Sequence, residues 1–137
     1  MANYQNIVNL CRAATPDGCR FMHGRLTDFS QGYNGLFPLV TLLPFTVTDA
    51  RSTPDGVFDS ANVVVGFWQQ DRPDTTSEER ERLIAEMDSL SDQFLDSVLE
   101  SPAVALSNIQ KEPQYQMFQA TLSGFAVSFT INAVSPC

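Results

Sequence analysis

The sequence predicts an α+β domain: a four- to five-stranded antiparallel or mixed sheet, one long helix packed across one face, and a short N-terminal helix. Three observations lead there. Leu83, Ile84, Met87, Leu90, Phe94, Leu95, Val98 and Leu99 recur at spacings of three and four, the stripe of an amphipathic helix. Several other runs instead alternate apolar and polar residues with period two, as half-buried strands do. Helical and strand patterns follow one another within 137 residues, enough for one domain with a single core (1–137).

The long helix is expected over about 76–100. Thr75 with Glu78, and Thr76 with Glu79, both fit a capping box, in which hydroxyl and carboxylate satisfy free backbone N–H groups. Pro73 disfavours helix before it, and Pro102 ends it. A helix of that length would extend roughly 36 Å, so one end could project toward a partner. Asp88, Asp92 and Asp96 stand four residues apart along its polar side. Each such like-charge pair costs about 0.2–0.5 kcal/mol. They form either a solvated ridge or an acidic face turned toward a channel or a partner. No turn or loop accompanies them of the kind that calcium sites use.

Tyr4, Ile7, Val8, Leu10 and Cys11 give the N-terminal helix, about 3–14, which ends at the turn Thr15-Pro16-Asp17-Gly18. Cys19 to Leu26 reads as a short strand. The glycine- and asparagine-rich stretch 27–35 reads as a loop carrying Phe29 and Tyr33. Those two rings either pack over an edge of the domain or meet a neighbouring subunit, where aromatics are enriched. A strand at about 37–48 contains Pro38 and Pro44, which remove two ladder donors and predict an edge position or a bulge.

The strand at about 62–70 is apolar on both faces and should be central. Then comes a short strand at about 103–109, followed by a polar turn or excursion at 110–116. The closing strand spans about 117–134. Its larger apolar residues change parity at Ser123-Gly124, which predicts a bulge there. Trp68, Val64, Leu122 and Phe118 would leave the second sheet face partly apolar, to be covered by the N-terminal helix or by another copy. Trp68 and Phe118, with Phe29 and Tyr33, are therefore the candidate subunit contacts.

Chemistry finds little foothold. The single histidine, His23, sits beside no nucleophile elbow. Cys11, Cys19 and His23 have spacings outside those of zinc sites. No glycine-rich run matches a phosphate loop or a dinucleotide fingerprint. No enzyme activity, cofactor or metal is expected. Eight basic against sixteen acidic residues give a net charge of −8, a surface that repels nucleic acid backbone. No run is long and apolar enough to span a membrane, and no signal peptide is recognisable. Three scattered cysteines suggest free thiols in a reducing compartment such as a cytoplasm.

With these elements in order, the chain resembles the tail-terminator and neck-completion (head-tail joining) proteins of tailed bacteriophages. The runs that carry the likeness are LFPLVTLLPF, NVVVGFWQQD with the helix TTSEERERLIAEMDSLSDQFLDSVL, and LSGFAVSFTINAV. The resemblance implies a virion structural protein made in the host cytoplasm, closing into a ring of about six copies between neck and tail tube. Other tail or neck proteins would be its partners, and DNA would pass through without specific binding. Two other readings stand beside it: another phage assembly part (a tail tube or connector subunit), and a cytosolic adaptor with a ligand pocket between helix and sheet, lined by Trp68 and Phe94.

Overall fold

The computed structural model describes residues 4–24, 38–49, 57–71, 76–101, 104–116 and 122–135. The elements run α1 (Tyr4–Ala14), β1 (Arg20–His23), β2 (Leu39–Leu42), β3 (Val47–Asp49), β4 (Val57–Gln70), α2 (Ser77–Leu99), β5 (Val104–Gln116) and β6 (Leu122–Ser135). The class is the expected one, α+β, but the mixed sheet has six strands. Its order is β1-β2-β4-β6-β5, with β3 pairing beside β2 on the same side of β4. Among the described strands only β1 and β2 pair in parallel. Such a pair needs a crossover of a dozen or more residues, and the connection 24–38 has that length.

β4 is the central strand, as its two apolar faces suggest. It pairs with β6 over its whole length, from Val57 against Ser135 to Gln70 against Leu122. The run expected as one strand at 37–48 is split. β2 lies against Leu39↔Trp68 to Leu42↔Val65, and β3 against Val47↔Ala61 to Asp49↔Asp59. Pro44 falls in the gap, where no ladder donor is needed. Pro38 directly precedes β2, and its carbonyl accepts from the Arg20 amide at 2.9 Å.

α2 lies over one sheet face as its periodicity requires. Leu83, Met87, Phe94, Leu95 and Val98 are buried against Val63, Val65, Phe67, Val127, Phe129 and Ile131. Phe94 meets Phe67 edge-on at 5.5 Å and Phe129 at 6.3 Å. Leu99, at the end of the apolar stripe, is 51% exposed, whereas Ser91 is buried with its hydroxyl donating to the Asp88 carbonyl at 2.6 Å. Thr76 caps the helix: its Oγ1 accepts from the Glu79 amide at 3.2 Å.

Three expectations are corrected here. α1 does not cover the second face of the sheet. Its Ile7, Val8, Cys11 and Ala14 join the same core as α2, because their spacing makes a single stripe that one core absorbs. The predicted bulge at Ser123-Gly124 is absent, since the β4–β6 register runs unbroken. The parity change arises because Leu122 belongs to a second, smaller core with Leu39 and Trp68 on the opposite face. Gly124 is needed for a different reason: a Cβ there would lie 1.7 Å from the Phe67 carbonyl oxygen.

The third correction concerns β5. Residues 110–116 are strand, not turn: β5 runs on to Gln116 and pairs with β6 as an edge strand. An edge tolerates Pro113 and a polar sequence that an inner strand would not. The sheet's one irregularity among the described residues lies in β5, between Ser107 and Gln110, where Asn108 takes a left-handed φ of 54°. Asparagine is among the few residues that accept this conformation readily.

Candidate interaction surfaces

The chain ties its acidic helix down with one lysine. Lys111 stands on the helix side of β5, above the Phe125 ring at 5.5 Å, and reaches both Asp88 and Asp92, the latter at 2.7 Å. Desolvation pulls the ammonium pKa down. The hydrogen bonds and charges of Asp88 and Asp92 outweigh it, so Lys111 is held above its usual range. Two of the three ridge carboxylates thus anchor the edge strand to α2, a partner the sequence pattern does not foretell. Asp96 remains exposed. The rest of the outer helix face is still strongly acidic, with Glu78, Glu79, Glu81, Glu86 and Glu100 exposed beside Arg82.

A second buried lock joins the end of β4 to the start of α2. Asp71 is 1% exposed and receives Arg80 through Nε at 2.8 Å and NH2 at 3.1 Å. The Ser123 hydroxyl donates to the same carboxylate at 2.5 Å. A buried carboxylate is tolerated only when paired and hydrogen-bonded. Sequence reading misses this group, yet one signal is present. Arg80 lies in the first turn of α2, where a cation opposes the helix dipole and needs another reason to be there.

Trp68, expected as a subunit contact, is 4% exposed and packs within the chain. Its indole donates to Thr41 Oγ1 at 2.8 Å. The ring lies over Gly66, where a Cβ would come within 2.4 Å of the indole nitrogen. Trp68 and Phe94 belong to opposite faces of the sheet, in separate cores, so they line no common pocket. Phe29, Tyr33 and Phe118 lie outside the described residues.

Beyond Trp68 the second sheet face opens. A groove of about 280 Å³ runs over β4, β6 and β5, lined by Asn62, Val64, Asn108, Gln110, Ser128 and Thr130 together with the Val63 and Phe129 positions. Val64 is 38% exposed, and Thr130 donates to Asn62 Oδ1 at 2.6 Å. The bare apolar face anticipated from the sequence is therefore half buried by the chain itself and half polar.

Where α1 meets β1, Tyr4, His23 and Phe45 cluster. Tyr4 stacks on Phe45 at 4.3 Å, and its hydroxyl lies 2.8 Å from His23 Nε2. His23 Nδ1 donates to the Leu42 carbonyl at 2.8 Å, so both ring nitrogens are engaged in holding α1 to β1 and β2.

Cys11 and Cys19 are free thiols. Burial raises Cys11 to about 12 and pushes Cys19 up as well, which leaves neither activated as a nucleophile. Among the described residues no His, Cys, Asp or Glu cluster could hold a metal, and no helix is long and apolar enough to cross a membrane. The chain matches no protein-family model and no curated protein.

Proposed function

We propose that this chain is a self-assembling structural subunit, and that it closes into a ring of about six copies at the neck or tail terminus of a tailed bacteriophage. The observation that supports the reading best is the pair of unlike free edges on its sheet. Among the described residues β1 ends the sheet on one side and β5 on the other. Free strand edges are templates for pairing with another chain. When unlike surfaces meet, the contact is head-to-tail, and it closes into a ring if the rotation permits.

The acidic outer face of α2 fits the same role. A ring lined or flanked by carboxylates lets DNA pass without holding it, since phosphate contacts require cations. The decisive experiment is native mass spectrometry of the purified chain with negative-stain images of the same sample. A closed ring with a central opening supports the proposal. A monomer throughout the concentration series, together with absence of the protein from particles, removes it.

A further inference from the structure

We infer that the open face of β4, β6 and β5 is a contact surface for a second copy of this chain, meeting its own equivalent across a two-fold axis. Three features of that face point to this occupant. The first is charge. Second-face positions from Ser60 to Trp68 on β4, from Leu122 to Asn132 on β6, and from Ala105 to Gln110 on β5 include no Asp, Glu, Lys or Arg. The uncharged patch stops at Glu112. Two chains of net charge −8 repel one another, and on this face they can meet without setting carboxylate against carboxylate.

The second feature is hydrogen-bonding character. Asn62, Asn108, Gln110, Ser128 and Thr130 carry amides and hydroxyls, each both donor and acceptor. A surface built from such groups can satisfy a copy of itself, which is what a two-fold contact demands. Among the described residues no cationic side chain lines the groove, and the one ring there, Phe129, is buried from the other side. A polyanion or a stacked base would have little to hold there.

The third is apolar surface in the groove. Val64, one of the lining residues, is 38% exposed. With strands ~4.8 Å apart and ~3.4 Å per residue, three strands offer a contact well below the ~800 Å² per partner of a standard interface. The pairing is accordingly weak and concentration-dependent. It is also separate from the ring reading, because a two-fold contact pairs two chains, or two rings face to face, and closes no ring by itself.

The test is sedimentation velocity over a concentration series on the wild type, on Asn62→Asp with Gln110→Glu, and on Gln110→Glu alone. Both positions are exposed. Asn62→Asp keeps an oxygen to accept from the Thr130 hydroxyl, so the fold is retained. Circular dichroism and melting verify this. The wild type should form even-numbered species that strengthen with salt, because screening weakens repulsion between acidic chains. The double variant should raise the dissociation constant at least about tenfold, and Gln110→Glu alone by less. Asp96→Asn on α2 should not weaken pairing.

A double variant that pairs as the wild type does, or a wild type that never pairs, overturns the inference. Rings that persist unchanged in the double variant, with pairing unchanged too, overturn this contact and leave the ring reading standing. Pairing lost in the variant, with no ring in either protein, supports this contact and counts against the ring.

Discussion

Asp71 is a buried carboxylate, 1% exposed, and so depends on the groups that pair with it. Among the described residues, Arg80 at the start of α2 and Ser123 on β6 supply it with charge and hydrogen bonds. Removing Arg80 takes a cation away from a buried carboxylate, and breaking such buried pairs costs about 3–5 kcal/mol. Arg80→Ala should therefore lower stability by about 3 kcal/mol or more in urea melts. Asp71→Asn with Arg80→Met should recover a large part of that loss, since it removes the charge as well. A loss below about 1 kcal/mol for Arg80→Ala would show that Asp71 is solvated after all.

Cys11 makes a prediction in pH. Its thiol is held up at about 12 against an ordinary value of 9.0 by burial alone. The unfolded chain therefore gives up that proton first, and stability must fall as pH rises from about 9 toward 12. Lys111 adds to the same trend: its raised value means its ion pairs are intact below the ordinary lysine range and lost above it. Cys11→Ala should flatten part of the alkaline decline measured by thermal melts. Equal slopes in both proteins would contradict the burial of Cys11.

At the scale of elements, the strongest periodicity is the most legible. The long helix falls where its apolar stripe and its Thr76 cap put it, and the central strand is marked by apolar residues on both faces. The segments that read less well are those whose residues serve two masters. Leu122 suggests a bulge because parity alone cannot separate a bulge from a second core on the far face. β5 looks like a turn beyond Ile109 because Lys111 and Pro113 are poor strand residues in general. An edge strand admits both, and Lys111 works there as a strap to α2. The strap is partly exposed, so Lys111→Met should cost no more than about 1 kcal/mol. That cost should shrink in high salt, which weakens repulsion among the helix carboxylates. A loss independent of salt would assign Lys111 a packing role over Phe125 instead.

The candidate surfaces are legible only in part. The acidic ridge is visible from its four-residue spacing, but its partner on β5, 19 residues beyond Asp92, is not. Trp68 draws attention as a large aromatic on a second sheet face. Its burial depends on Thr41 and Leu39, strand neighbours that only the pairing of β2 with β4 brings together.

At the scale of the whole molecule, both helices crowd one sheet face and leave the other to a small core and an uncharged groove. On the reading proposed above, that division sets how copies would meet: edge to unlike edge to build a ring, and open face to open face to pair chains. The most direct test is the mass of the intact assembly in native mass spectrometry, read with images of the same sample. The account predicts closed rings near six chains. A protein that stays a single chain from micromolar to millimolar concentration contradicts it.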